Sequence, residues 1–347
     1  MKFRINLSTL LAIPLIIIQY ILFSFNTANA DMTNYIIRYN NVLKLGPRYF
    51  GNFIDIGFNY YMFFIHKLNL DYQTFLIISG TLAFFSLIYI CKHYGADYFY
   101  FFVCFLFSFF FIEVVILRQF LSSVLIALAF IFVKEEKKWY QNLLCLVLLI
   151  CAISIHISAF LSFLYFFSYK FKLRTLYYGA LVGIISSYFM QSAILPVLTK
   201  ILGAKFAIYT NVMDASIISF LAKVVFLVVS LVLFGLLYKY FCKNSKYYQE
   251  KHKKLSELAL KSTLINSLFI SLMLVDISFE RLLIIPVFIY LATIAIFFRF
   301  KAPFTKERIL LIILICIWIF LSYRIFVWSD MANTTIPILN ENLLWGN

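Results

Sequence analysis

From Leu7 to Phe25 the chain runs about 19 residues without a charged side chain, and comparable apolar stretches recur along its whole length. A backbone surrounded by hydrocarbon must satisfy its own N–H and C=O groups, so a spanning segment of this kind has to be helical unless it closes into a barrel. Short basic clusters separate the runs: Lys2/Arg4, Lys92/His93, Lys134–Lys138, Lys170–Arg174, Lys239–Lys254 and Arg299–Arg308. Overall, 64% of the 347 residues are hydrophobic and only 13% charged. That balance excludes a soluble domain, a disordered chain and a disulfide-rich secreted module. The sequence therefore predicts an all-α, polytopic integral membrane helix bundle.

Placing all six basic clusters on one side requires an even number of crossings between neighbours. With about 20 apolar residues per crossing, the reading is about eleven transmembrane helices. They fall near 7–25, 72–90, 98–112, 118–133, 139–155, 157–169, 175–198, 216–238, 258–275, 282–298 and 309–328. The N-terminus is then cytoplasmic and the tail Ser329–Asn347 outside. The whole chain, 1–347, reads as one membrane domain, with a first extracytoplasmic loop at 26–71 and a basic cytoplasmic loop at 239–257. The formal net charge of +15 follows from this topology and does not indicate nucleic acid. Ala28-Asn29-Ala30 after the first apolar run also fits a signal-peptide cleavage site, but that run exceeds the usual length, which favours an uncleaved first span. The six cysteines read as packing residues, with no metal-site spacing. No G-x-x-x-x-G-K nucleotide motif occurs.

Ionisable groups in or at the edge of a bilayer cost roughly 2.5–3.5 kcal/mol near a helix centre, so those that remain after the basic clusters are removed need a reason. They are Asp31, Arg38, Arg48, Asp55, Glu113, Arg118, His156, Lys205, Asp214, Lys223, Asp276, Glu280, Arg281 and Arg324. Three groups fall at outward turns of the eleven-span reading: Arg118-Gln119, His156 and Glu280-Arg281. Each begins a helix running inward, whose N-terminal N–H groups and positive dipole end favour an anion. Arg adds bidentate phosphate recognition. Together these describe an outward-facing anion cavity at headgroup level, suited to a lipid-linked phosphate or pyrophosphate. Each also has a structural alternative. Arg118 can pair with Glu113, five residues earlier. His156 can be a neutral helix-end histidine, and Glu280 a first-turn acid beside Arg281. Lys205, Lys223 and Arg324 read as ordinary loop or interface charges.

The stretch Val115-Ile116-Leu117-Arg118-Gln119-Phe120-Leu121-Ser122-Ser123, followed by a span, a basic turn and Ala152-Ile153-Ser154-Ile155-His156-Ile157-Ser158-Ala159-Phe160, resembles the EpsG family of bacterial polysaccharide polymerases, relatives of the Wzy-type O-antigen and capsule polymerases. Asp31-Met32-Thr33-Asn34-Tyr35 is similar to the family's Asp-x-x-x-Tyr element. Asp55-Ile56-Gly57-Phe58 resembles its acidic-x-Gly-aromatic element, and Glu280-Arg281-Leu282 the Arg that starts a late span. Ser122 stands where the family often has Ala, and Asp55 where it often has Glu. The resemblance implies an enzyme of the bacterial plasma membrane that transfers a growing glycan from undecaprenyl pyrophosphate onto a lipid-linked repeat unit at the extracytoplasmic face. It implies substrate contacts at Arg118, Gln119, Arg281, Asp31 and Tyr35, and acid–base chemistry at His156, Asp55 or Glu280. The pyrophosphate is already activated, so no metal or nucleotide cofactor is implied. Expected partners are the lipid-linked oligosaccharide, membrane lipid, and chain-length regulator and flippase proteins. Competing readings are a membrane O-acyltransferase of envelope glycans, a lipid-linked oligosaccharide flippase or other transporter, and a scaffold.

Overall fold

The computed structural model describes residues 7–49, 55–133, 139–189, 217–270, 273, 277–300 and 305–345. Among these the architecture is all-α, and the strand-type pairing is one isolated antiparallel bridge between Asn26 and Asn342. The helices, numbered over the described residues, begin with α1 (Leu7–Ser24), α2 (Met32–Leu45), α3 (Ile56–Lys67), α4 (Tyr72–Tyr94), α5 (Tyr98–Ser108), α6 (Phe110–Val115), α7 (Leu117–Ile131) and α8 (Trp139–Ile155). A 3₁₀ turn, Ile157–Phe160, leads to α9 (Leu161–Ser168) and α10 (Leu173–Phe189). Then come α11 (Ile217–Lys243), α12 (Glu250–Ser267), α13 (Arg281–Ile284), α14 (Val287–Arg299), α15 (Lys306–Phe326) and α16 (Thr335–Asn340). Local chemistry sets several ends. Asp71 caps α4 by accepting from the Thr74 amide at 2.7 Å, and Gly95 closes the same helix at a left-handed φ of 67°. Asp97 caps α5 through the amides of Phe99 and Tyr100.

The expected eleven spans are not found. Among the described residues five helical segments are long and apolar enough to cross a membrane: Leu7–Ser24, Tyr72–Tyr94, Ile217–Lys243, Arg281–Arg299 and Lys306–Asp330. Four more, Tyr98–Ser108, Leu117–Ile131, Trp139–Ile155 and Ile157–Ser168, are apolar but shorter. An 11-residue helix such as α5 rises only about 16 Å, half the hydrocarbon thickness. The region 98–133 breaks at Phe109 and Ile116 into three pieces, where the sequence reading had two spans. The expected span at 258–275 fails for a different reason. Its helix, α12, starts eight residues earlier in a charged segment and carries Lys261, Ser262, Thr263, Asn266 and Ser267. The span expected at 175–198 runs beyond the described residues.

The chain forms two compact units. The first comprises 1–160, 287–301 and 322–347. In it α14 is buried almost all round, and Phe288 meets the rings of Phe101, Phe105 and Phe120. The tail joins the first loop: the amide of Thr27 donates to the Glu341 carbonyl and that of Leu343 to the Phe25 carbonyl, both at 3.0 Å. Helices α1 and α4 approach closely at Gly80, where an added Cβ would lie 2.2 Å from Ser24 Oγ and 2.8 Å from Phe23 Cδ1. Outward faces, such as Leu10, Ile13 and Ile17 of α1 and Leu143, Val147 and Ile150 of α8, stay exposed, as suits contact with lipid.

The second unit comprises 161–286 and 302–321. The indole N–H of Trp318 donates to Ser230 Oγ at 2.9 Å, joining α15 to α11. Helix α12 is buried although polar. Its Lys261 donates to the Ser168 carbonyl at 3.0 Å and pairs with Glu257, and Tyr165 donates to Asn266 Oδ1. Among the cysteines, Cys91, Cys104 and Cys145 pack in the interior, whereas Cys151, Cys242 and Cys316 are exposed, contrary to the expectation that all six are packing residues.

Gly80→Ala is expected to separate α1 from α4 and cost about 1–3 kcal/mol despite the higher helix propensity of Ala. A lowered thermal unfolding midpoint in detergent checks this; an unchanged or raised midpoint would show that Ser24 and Phe23 move aside freely.

Candidate functional site

Four elements of the first unit converge on one carboxylate. The first is α2, whose buried residues Met32, Tyr35, Tyr39 and Val42 recur at helical spacing and face the unit's interior. Asp31 stands at its N-cap position without capping it. Asp31, Tyr35 and Arg38 follow at i, i+4 and i+7 and so share one face.

The second element is α3, which carries Asp55 at its N-cap in the left-handed region, φ 59° and ψ 23°. Asp tolerates this conformation better than most residues. Its carboxylate does not cap α3; it is directed to Arg118 and His156. Two residues on, Gly57 allows α3 to lie against α8. A Cβ there would come within 2.1 Å of Ser154 Oγ and 3.0 Å of the Ser154 backbone carbon.

The third and fourth elements are α7 and α8. Arg118 sits in the first turn of α7, where Nη1 donates to Asp55 Oδ2, and its guanidinium lies 5.7 Å from the centre of the Tyr35 ring. His156 directly follows α8 and turns Nδ1 toward Asp55 Oδ1 at 3.6 Å. With Nδ1 facing the carboxylate, Nε2 points the other way. Ser122 Oγ donates to the Ala152 carbonyl at 3.1 Å, fixing α7 to α8 one turn behind the pair.

The electrostatics follow from this packing. Burial alone pushes the Asp55 carboxyl up, but the His156 imidazole and the charges of Arg118 and Arg38 outweigh it and hold the group at about 2. Burial lowers Arg38 to about 10, repulsion from Arg118 adds to this, and Asp55 and Tyr35 oppose it. Arg118 also feels the charge of Asp31.

Of the residues singled out from sequence, the structure gathers Asp31, Tyr35, Asp55, Arg118 and His156, with Gln119 buried next to Arg118 on α7. Arg118 does not pair with Glu113. Glu113 is fully buried in α6, and neither of its oxygens has a hydrogen-bond partner among the described residues. Glu280 and Arg281 belong to the second unit, where Glu280 pairs with buried Lys223 at 2.6 Å. Lys223 is therefore not the ordinary loop or interface charge that was expected. Arg48 and Arg324 are exposed. Lys205, Asp214 and Asp276 lie outside the described residues. Arg38 received no role from the sequence, although its i+7 spacing from Asp31 was the available signal.

The EpsG family model matches residues 9–340. The chain belongs to the EpsG family. The match spans both units and every residue of the Asp55 cluster. No curated protein and no solved structure matches the chain.

Asp55→Asn keeps the side-chain size and the tolerance of left-handed φ but leaves Arg118 without its carboxylate, at an expected cost of about 3 kcal/mol near neutral pH. A carboxyl held at about 2, against an ordinary 3.8, stabilises the fold fully above pH 4 and progressively less as pH falls through 2. Thermal melts should therefore show a gap between wild type and variant at pH 7 that closes on acidification; a gap independent of pH would contradict the ion pair.

Gly57→Ala is expected to force α3 off α8, with a loss of about 1–3 kcal/mol. Adding Ser154→Gly should restore part of that loss, because it removes the two closest atoms. Additive destabilisation in the double variant would rule out this contact as the cause.

Proposed function

We propose that this EpsG-family chain is a Wzy-like polysaccharide polymerase of the bacterial inner membrane. It transfers a growing glycan from undecaprenyl pyrophosphate onto the sugar of a second lipid-linked repeat unit at the extracytoplasmic face. The observation that supports this best is the Asp55 cluster: one carboxylate binds a guanidinium through one oxygen and faces an imidazole nitrogen at 3.6 Å with the other.

In this reading an acceptor hydroxyl oxygen attacks the anomeric carbon of the donor sugar. The bond from that carbon to the pyrophosphate oxygen breaks, and its electron pair leaves with the pyrophosphate. The hydroxyl proton passes to His156 Nε2, since Asp55 faces Nδ1 and sets the tautomer and orientation of the ring. The leaving group changes from a pyrophosphate diester to a monoester and gains negative charge. Arg118, at the first turn of α7, meets that charge with a forked donor set and with the helix's own N–H groups. The Tyr35 ring lies 5.7 Å from the guanidinium and favours its charge, and Gln119 and Asp31 support its position. All of these groups belong to the first unit. Proteins that regulate chain length are the expected partners.

The test is complementation of a deletion strain with Arg118→Ala and His156→Ala. Loss of a general base typically lowers the rate by about 10²–10⁴. Surface polysaccharide should collapse from long chains to single repeat units, whereas a missing flippase would remove the repeats altogether. Long chains made normally by both variants at wild-type abundance would exclude these roles.

A further inference from the structure

The segment that follows α15 turns its apolar side chains outward. Ile336 and Leu339 stand about one turn apart on α16, and Leu343, Leu344 and Trp345 follow in the turn after it; these five are 42–55% exposed. The other side of the segment is buried through Thr335, Ile338 and Asn342. Hydrogen bonds fix this shape. The Trp345 indole N–H donates to the Leu339 carbonyl at 2.8 Å, and the Leu344 amide to Asn342 Oδ1 at 3.1 Å, so the turn folds back on α16. An ordered apolar surface of this kind marks an interaction site.

Two spans set its level. Asn342 Nδ2 donates to the Ile21 carbonyl in the last turns of α1 at 3.2 Å, and backbone bonds join Leu343 to Phe25, Thr27 to Glu341 and Ala30 to Asn333. The C-terminal ends of α1 and α15 therefore emerge on one membrane surface, with α16 beside them. Helix α15 marks that surface independently. Ile313, Ile317 and Phe320 are exposed along one of its faces, and Arg324 and then Trp328 continue the same spacing, both exposed. Arg and Trp closing a lipid-facing stripe are what a bilayer interface selects, since each has an apolar body and a polar tip.

We propose that residues 328–345 form an interfacial anchor whose partner is the phospholipid surface. Ile336, Leu339, Leu343, Leu344 and Trp345 enter the bilayer at headgroup level, while the exposed Asn333, Asn340 and Glu341 face water. Continuity with the ends of two spans favours lipid over a second copy of the chain. Size does too: five half-exposed side chains fall well short of the roughly 20–30 residues a side of a stable protein interface. The anchor needs only the membrane-spanning helices, not the chemistry proposed for the Asp55 cluster.

The experiment places full-length wild type and Trp345→Phe in nanodiscs whose phospholipids carry a spin label either near the headgroup or near the chain end. The difference in emission between the two proteins isolates Trp345 from Trp139, Trp318 and Trp328. Thermal unfolding establishes that both are folded. Trp345 emission is expected to be blue-shifted from that of indole in water, to be lost mostly to the headgroup-level label, and to respond weakly to the deep label and to iodide in the aqueous phase. In Leu339→Ser/Leu343→Ser, compared with the same variant carrying Trp345→Phe, the emission should shift to the red, gain iodide quenching and lose most of the lipid quenching. Strong iodide quenching without lipid quenching in wild type would overturn the anchor by placing the segment in water. Quenching by neither would overturn it in favour of protein cover, and a signal that differs between nanodiscs holding one copy and two would name the cover as a second copy. Stronger quenching by the deep label would overturn the headgroup level. Unchanged lipid quenching in the folded double-serine variant would overturn the role of the apolar surface; should that variant not fold, the wild-type measurement decides alone.

Discussion

The buried carboxylate of Asp55 is the constraint on which the first unit's polar chemistry depends. Arg118 opens a helix with no other charged residue, and a guanidinium in that position needs a counter-charge or water. Asp55 supplies the counter-charge from a helix 63 residues earlier in the chain. The same group faces His156 at 3.6 Å, and Tyr35 of α2 lies against the Arg118 guanidinium, so α2, α3, α7 and α8 meet at one place. The left-handed backbone at Asp55 fits this arrangement: a strained cap residue that does not cap its own helix is held in place by what its side chain reaches.

Apolar packing brings that point together. Gly57 permits the approach of α3 to α8, and Ser122 bonds α7 to α8 beside it. Below, Phe23, Phe105, Phe120 and Phe288 meet ring to ring and fill the space between α1, α5, α7 and α14. Such close packing transmits a one-atom change, which is why a methyl group at position 57 matters to a site two residues away. The second unit is organised differently. Its buried helix α12 is polar and is held by Lys261, Glu257, Asn266 and Tyr165, and Lys223 of α11 answers Glu280.

Much of the candidate site was legible because charge is rare in this chain. Arg118 and His156 stand out in stretches that are otherwise uncharged, and the cost of burying them marks them. The short elements around Asp31, Tyr35 and Asp55 were legible through resemblance. Arg38 was listed among the costly charges but received no role, since in a loop between spans a basic residue resembles a solvated charge. The alternative partner for Arg118, Glu113, is not the one the structure provides. Glu113 is near in sequence, but the chain breaks at Ile116 between α6 and α7, and even an unbroken helix would place positions five apart about 140° around its axis. The number of spans failed for a related reason: apolar length limits how many helices a stretch can hold but does not show where they break or whether each one crosses.

The sequence by itself determined that the chain is helical, that it is built for a bilayer, and which few polar side chains are too costly to be incidental. Hydropathy and charge are properties of each residue and can be read locally. The tertiary structure alone decided which carboxylate answers Arg118, that Tyr35 lies against its guanidinium, and that Glu280 turns to Lys223. Those outcomes depend on how separate helices approach one another, through contacts such as Gly57 on Ser154, and such long-range geometry leaves no periodic trace in the chain.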